Sequence, residues 1–170
     1  KYEVEALMVL LKRFLQSEVK EMLDNGIRFQ AIGRLHKLPK HVQKTLRETA
    51  EQTASNRNMA LTLALSYGGR QEVTDAVLKM VQRVEAGEMR SSDISEALVS
   101  EHLYTANMPD PDLLIRTSGE CRVSNFLLWQ IAYAEIYMTP TQWPDFLKEE
   151  YLIALEYYQR RERRFGATGE

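Results

Sequence analysis

The segment that most constrains the fold is a near-continuous apolar run at residues 59–66, MALTLALS. It has the length of a strand, and Gly68 and Gly69 follow it closely. An apolar run of this length, bounded by glycines, is typical of a strand that is buried on both faces of a parallel sheet. The run therefore predicts a sheet with parallel strands.

Helical and strand patterns alternate along the rest of the chain. Apolar residues repeat at spacings of three and four over residues 2–24, which predicts an amphipathic helix closed by Asn25 and a left-handed Gly26. The other predicted helices are 39–55, 73–86, 93–102 (capped by Ser92), 126–134 and one from 141 to 160–164, and the other predicted strands are 27–32, 113–115 and 136–138. Because no hairpin signal interrupts this order, the sequence predicts an α/β fold with a mostly parallel β-sheet surrounded by helices, in one domain over residues 1–170.

Bulk composition excludes several classes of protein. The formal net charge of −2 argues against a globally basic nucleic-acid binder, so no nucleic-acid partner is expected. Cys121 is the single cysteine, which excludes an intrachain disulfide and fits a reducing compartment such as the cytoplasm. No apolar run approaches the roughly 18 residues that a membrane-spanning helix requires.

Residues 112–135, DLLIRTSGECRVSNFLLWQIAYAE, carry the strongest functional pattern. Arg116 follows a predicted strand, whereas Arg122 and Ser124 precede a predicted helix, and Gly119 between them would let the backbone approach a ligand. Ligands of parallel sheets bind beyond the carboxyl ends of the strands, and helix N-termini favour anions. Two guanidiniums, a hydroxyl and a helix start therefore predict a site for one phosphate or two linked phosphates.

The alternative explanation of these charges is structural. Arg116 and Arg122 could form loop salt bridges with Asp112 and Glu120, with Ser124 as an ordinary helix cap.

A second strand–turn–helix junction lies at residues 66–73, SYGGRQEV. Arg70 follows two glycines there and could face the same crevice. A Gly-Gly pair is more often a tight turn than a phosphate loop, so this junction is the weaker of the two signals.

Other chemistry-bearing residues have structural explanations. Glu135 lies at the far end of the predicted helix 126–134, about 15 Å from its start, so its position alone predicts a structural carboxylate. Cys121 lacks a nearby histidine base, and His36 and His41 lack clustered carboxylates, so neither a catalytic thiol nor a histidine metal site is predicted. The segment 160–166, RRERRFG, is typical of a solvated helix end, with a second anion-binding role as the alternative.

Residues 112–135 resemble the signature of the cis-prenyltransferases, the undecaprenyl diphosphate synthase family. The likeness extends in order to SYGGR at 66–70, WPDF at 143–146 and RERRFGAT at 161–168, and so covers nearly the whole chain. The resemblance implies a Mg2+-dependent enzyme that condenses isopentenyl diphosphate onto an allylic diphosphate such as farnesyl diphosphate. It also implies a long cis-polyprenyl diphosphate product, expected to be the cell-wall lipid carrier undecaprenyl diphosphate, a homodimer, and at most peripheral membrane association through that product.

The resemblance also assigns residues. Four loop residues would hold the diphosphate of isopentenyl diphosphate: Arg116, Arg122, Val123 and Ser124. Glu135 matches the family's Mg2+-associated glutamate, which replaces the structural prediction for it. Arg164 and Gly166 match an Arg-x-Gly element that reaches the active site near the dimer interface. The helix 2–24 and the strand 59–66 are similar to the walls of the family's apolar product tunnel.

The sequence departs from the family pattern at its N-terminal side. The Asp-Gly-Asn-Gly-Arg motif and the Ser-x-Glu-Asn-Trp segment are absent from these 170 residues. Since the motif aspartate coordinates Mg2+ and the allylic diphosphate, no catalytic residue is predicted within this chain. We expect it to be the C-terminal part of a longer enzyme, lacking the first strands and inactive alone.

Two further points stay open at the level of the sequence. Position 121 is Cys where some relatives carry His, which leaves the role of this side chain undetermined. The alternative function is a non-catalytic, interface-forming subunit of a heteromeric cis-prenyltransferase. The presence of Arg116, Arg122 and Ser124 argues against that alternative.

Overall fold

The computed structural model describes residues 2–161, with side chains from residue 5 onward. The chain divides into two compact units, residues 1–67 and 68–170. The first unit contains α1 (Tyr2–Asp24), β1 (Ile27–Ile32), α2 (Lys40–Gln52) and β2 (Met59–Ala64). The second contains α3 (Gly69–Glu85), α4 (Glu96–His102), β3 (Leu113–Arg116), β4 (Glu135–Met138) and α5 (Lys148–Gln159). The single domain over 1–170 stays a prediction.

The strands pair in parallel within each unit. In the first unit, β1 pairs with β2 in a register that runs from Ile27 opposite Met59 to Ile32 opposite Ala64. In the second, β3 pairs with β4, with Leu113 opposite Glu135 and Arg116 opposite Met138. The predicted α/β class with parallel strands is confirmed.

The core of the first unit lies between α1, α2 and β1. Met8, Leu15 and Met22 of α1 are seven residues apart, or two helical turns, so they share one buried face. They cluster with three buried residues of the neighbouring elements: Phe29, Val42 and Leu46. The predicted left-handed cap at Gly26 is confirmed, with φ +67°. A β-carbon at that position would also lie 2.6 Å from Asn58 Nδ2.

β2 is less buried than its apolar sequence predicts. Met59 is 53% exposed, and no residue of β2 is fully buried. The reason is that α1 and α2 both pack against β1, while β2 pairs with β1 alone among the described strands. The prediction of a strand buried on both faces is therefore wrong for the described residues.

Three helix boundaries in the second unit differ from prediction. α3 begins at Gly69, four residues early, because its first turn is polar and lies outside the apolar repeat. α4 is capped by Ser95, whose Oγ accepts from the N–H of Leu98 at 3.2 Å, whereas a 3-10 turn contains Ser92. A 3-10 turn containing Pro144 precedes α5, which therefore starts only at Lys148.

Candidate anion-binding site

Arg116 ends β3 at the edge where parallel-sheet proteins bind ligands. Its carbonyl oxygen accepts from the N–H of Thr139 at 2.9 Å, which extends the β3–β4 ladder by one bond. The side chain is half-buried, and its Nε is buried with no hydrogen-bond partner among the described residues. A buried cationic N–H without an acceptor is costly, so this group favours a ligand that supplies an acceptor, such as an anion.

A tight turn follows Arg116 and begins the anion loop, which we define as residues 117–125. Ser118 and Gly119 both have left-handed backbones, with φ of +66° and +67°. Their N–H groups donate to the carbonyls of Thr141 and Thr139, each at 2.9 Å. A β-carbon at Gly119 would meet nothing closer than Pro140 Cα at 3.9 Å, so glycine serves the turn conformation there.

Arg122 forms one of the loop salt bridges that the structural explanation of these charges predicted. Its guanidinium forms an ion pair with the carboxylate of Glu120, and its side chain is 66% exposed. Val123 is half-buried and accepts from the N–H of Phe126 at 3.0 Å, whereas Ser124 is exposed. Arg122, Val123 and Ser124 thus lie on the anion loop, and Arg116 directly precedes it. Among the described residues Arg116 Nε has no acceptor, whereas Arg122 is engaged by Glu120.

The predicted helix 126–134 is not present. Ser124, Asn125 and Leu127 have φ of +47°, +63° and +46°, whereas a right-handed helix needs a φ near −63°. A short 3-10 turn, Gln130–Tyr133, replaces the helix. The prediction that a helix N-terminus at Ser124 completes the anion site is therefore wrong.

The helix start that meets the anion loop is that of α3. Asn125 accepts from two α3 amides, taking the N–H of Gly69 on its carbonyl at 2.7 Å and that of Arg70 on Oδ1 at 2.9 Å. Its Nδ2 donates to Gln71 Oε1 at 3.2 Å. The structure thus brings the end of the anion loop against the start of α3, although Asn125 itself occupies these two helix amides.

The glycine pair serves close packing of this loop. Gly68 is extended, with φ −164°, a backbone that any residue adopts. A β-carbon at Gly69 would lie 2.9 Å from Leu128 Cγ and 3.1 Å from the backbone nitrogen of Leu128. Gly69 thus leaves room for the segment that follows the anion loop.

A buried carboxylate anchors the same segment and was missed by sequence reasoning. Glu72 in the first turn of α3 is 1% exposed. Its Oε1 accepts from the N–H of Tyr104 at 2.8 Å, and its Oε2 accepts from Gln130 Nε2 at 3.1 Å. The available signal was spacing, since Glu72 lies four and eight residues before the buried Ala76 and Met80 and so shares their face.

Glu135 lies at the other end of the β3–β4 ladder. Three residue steps separate its register position from that of Arg116, which is about 10 Å along a strand. Its side chain is 19% exposed, and Oε2 accepts from Arg161 Nε at 2.9 Å. This hydrogen bond raises the pKa of Arg161. Over the described part of the chain, no group of three or more His, Cys, Asp or Glu residues could hold a metal ion.

The other predicted features are placed as follows. Cys121 is an exposed free thiol on the anion loop. Arg164 and Gly166 lie outside the described residues. Trp143 and Phe146 of the WPDF motif stack with their ring centroids 6.1 Å apart. Among the described helices, none is long and apolar enough to cross a membrane.

Comparison with known proteins identifies relatives of the whole chain. Residues 1–166 match a family model described as "Putative undecaprenyl diphosphate synthase". The chain is 49% identical over 168 residues to an isoprenyl transferase of Geobacter sulfurreducens, covering 99% of this chain and 68% of that protein. It is 47% identical to a ditrans,polycis-undecaprenyl-diphosphate synthase ((2E,6E)-farnesyl-diphosphate specific) of Vibrio vulnificus, covering 99% and 67%.

The fold matches a solved structure equally well. The crystal structure of lavandulyl diphosphate synthase from Lavandula x intermedia, in complex with dimethylallyl diphosphate, superposes with a TM-score of 0.95 at 42% identity. The match covers 98% of this chain and 72% of that one. The chain thus spans about two thirds of the length of its curated relatives. With sequence and fold in agreement over nearly every residue, the chain belongs to the undecaprenyl diphosphate synthase family of prenyltransferases.

Proposed function

We propose that this chain belongs to an enzyme that condenses isopentenyl diphosphate with an allylic diphosphate such as farnesyl diphosphate, and that it binds the diphosphate of the former. The observation that supports this proposal most strongly is Arg116 at the carboxyl end of β3. Its Nε is buried and has no acceptor among the described residues. The farnesyl specificity in the name of the Vibrio relative and the dimethylallyl diphosphate in the lavender complex support an allylic co-substrate. The proposed product is a long cis-polyprenyl diphosphate, namely undecaprenyl diphosphate.

Arg116 and the residues of the anion loop act by orientation. In the proposed reaction the allylic diphosphate ionises, the double bond of isopentenyl diphosphate attacks the resulting carbon centre, and loss of a proton completes the cycle. Arg116, Arg122 and Ser124 would hold the diphosphate of the attacking substrate and so fix where its double bond lies. Fixed cationic donors for a diphosphate are a form of preorganised electrostatic stabilisation.

An apolar face on α1 suits the proposed product. Leu7, Leu10 and Phe14 are 48–60% exposed and lie on one stripe at spacings of three and four, separate from the stripe that forms the core. A growing prenyl chain is purely apolar beyond its diphosphate, so it would gain by covering such a stripe. We include α1 and β2 in the proposed wall of the product tunnel.

The test of this proposal is a condensation assay with the complete protein. Labelled isopentenyl diphosphate, farnesyl diphosphate and Mg2+ should give chain-extended products that chromatography resolves by length. A protein that binds isopentenyl diphosphate but extends neither farnesyl nor dimethylallyl diphosphate would instead be a non-catalytic subunit. Sedimentation of the same preparation tests the proposed homodimer, and fractionation of cells tests the proposed cytoplasmic location.

Mg2+ dependence is proposed from the family. The described residues do not form a complete Mg2+ site. Glu135 is the one described carboxylate that the resemblance assigns to Mg2+, and its Oε2 already accepts from Arg161. We therefore assign Glu135 as one candidate ligand and derive no reaction step through the ion. Carboxylate oxygens are suitable ligands for this hard cation.

Replacing Glu135 by Gln should raise the Mg2+ concentration needed for half-maximal activity several-fold. The amide keeps a hydrogen-bond acceptor for Arg161 but loses the charge that attracts a cation, so the melting temperature should change by only a few degrees. Glu156→Gln is the matched control, because Glu156 is an exposed carboxylate that pairs with Arg160. A large fall in melting temperature with normal Mg2+ dependence would assign Glu135 to structure.

A further inference from the structure

We propose that Asn125 is a positioning residue that clamps the anion loop to the N-terminus of α3. This inference rests on the proposed function, because it concerns how Arg122 and Ser124 are held for the diphosphate. Asn125 directly follows Ser124 in the chain, so whatever fixes Asn125 also fixes the backbone that presents the hydroxyl.

Asn125 supplies a cap that α3 lacks in its own sequence. The first amides of a helix have no partner within the helix, and a side chain just before the helix usually accepts from them. That position here is Gly68, which has no side chain to offer. Asn125 takes over this role from 55 residues away, accepting from Gly69 through its carbonyl and from Arg70 through Oδ1. One residue of the anion loop thus completes the helix end.

Two further contacts hold the segment after Asn125 against α3. Leu128 lies so close to Gly69 that a β-carbon there would be 3.1 Å from its backbone nitrogen. Gln130 donates to the buried carboxylate of Glu72, one helical turn further along α3. Residues 126–129 form no helix that could hold the end of the loop by itself. The contacts with α3 therefore help to fix this end, whereas Ser118 and Gly119 fix its start through their bonds to Thr141 and Thr139.

The side-chain and backbone contributions of Asn125 can be separated. Its φ of +63° lies in the left-handed region, which glycine adopts freely. Asn125→Gly therefore keeps the backbone conformation and removes Oδ1 and Nδ2. Asn107 offers a matched control, because it is an exposed asparagine with φ +68° in the same unit but outside the anion loop.

The experiment compares steady-state kinetics of the complete enzyme. Asn125→Gly should raise the KM for isopentenyl diphosphate about tenfold, with the KM for farnesyl diphosphate and the kcat changed by less than twofold, since uniform binding of one substrate is lost. Asn107→Gly should leave all three constants within twofold. Calorimetric binding of isopentenyl diphosphate should show the same tenfold loss for Asn125→Gly alone.

A second variant keeps the proposal testable if Asn125→Gly does not fold. Gly69→Ala leaves Asn125 intact but places a methyl group against Leu128, while alanine favours the helix itself. It should raise the same KM at least fivefold.

The outcomes separate this inference from the proposed function. If neither Asn125→Gly nor Gly69→Ala alters the KM for isopentenyl diphosphate while Arg116→Ala raises it, the clamp is overturned and the anion site stands. If Arg116→Ala also leaves the KM unchanged, the site assignment itself fails, and the clamp with it.

Discussion

Replacing Arg116 by alanine is expected to raise the KM for isopentenyl diphosphate by about 10- to 100-fold, because a hydrogen bond to a charged group contributes about 1.5–3 kcal/mol and each 1.4 kcal/mol is roughly tenfold. Arg116 is the donor best prepared for an anion, because its Nε has no acceptor within residues 2–161. The KM for the allylic substrate should change much less, and initial-rate kinetics with each substrate varied in turn measures both.

Arg122→Ala should have a smaller effect than Arg116→Ala. Arg122 is exposed and already paired with Glu120. To bind a diphosphate, its guanidinium must first give up this carboxylate, which offsets part of the binding free energy. Arg90→Ala is the control, since Arg90 is an exposed arginine of the same unit that pairs with Asp93. An Arg116→Ala enzyme with a normal KM would remove the main support for the anion site.

Replacing Glu72 by alanine is expected to lower the free energy of unfolding by about 3 kcal/mol or more, since each buried group left without a partner costs about 1–3 kcal/mol. The groups that lose their acceptor are the N–H of Tyr104 and one of the two N–H groups of Gln130 Nε2, whose other acceptor is Thr105 Oγ1 at 2.8 Å. Urea denaturation of the complete protein, read from the transition midpoint and slope, measures the loss.

Glu72→Gln should destabilise less than Glu72→Ala. Gln130 Oε1 is buried and has no partner in the described part of the chain, so a rotated Gln130 amide could accept from the new amide at position 72. Glu96→Ala tests the loss of an exposed glutamate from a first helical turn and should change stability by no more than about 0.5 kcal/mol. Equal midpoints for Glu72→Ala and the wild-type protein would show that the network contributes nothing to stability.

The helices and strands of the first unit could be predicted from the sequence because they depend on local residue patterns. The spacing of Met8, Leu15 and Met22 predicts the buried face of α1, and Gly26 predicts where the helix ends. The apolar run at 59–66 correctly predicted a strand, but its burial depends on which elements pack against it. Only the tertiary structure shows these contacts, and in it both α1 and α2 pack against β1.

The second unit was harder because its decisive features are non-local. The apolar letters FLLWQIA predict a helix, yet Leu127 adopts a left-handed backbone that leucine rarely takes. The contacts of Asn125 with α3 join residues that are 54 to 56 positions apart, and no periodic pattern indicates them. Arg116 and Arg122 were found by residue type and position, whereas the assignment of Glu135 to a metal came only from the family resemblance and stays a prediction.

Four of the six described non-glycine residues with positive φ lie between positions 118 and 127: Ser118, Ser124, Asn125 and Leu127. In a helix or a strand, one apolar residue can replace another as long as the periodic pattern survives. At these four positions the residue must instead tolerate a left-handed backbone, which few residue types do. The connection between β3 and β4 is therefore constrained at individual positions and not by a periodic pattern. In a library of single substitutions, we expect these positions to tolerate fewer residue types than the positions of β3 and β4 on either side.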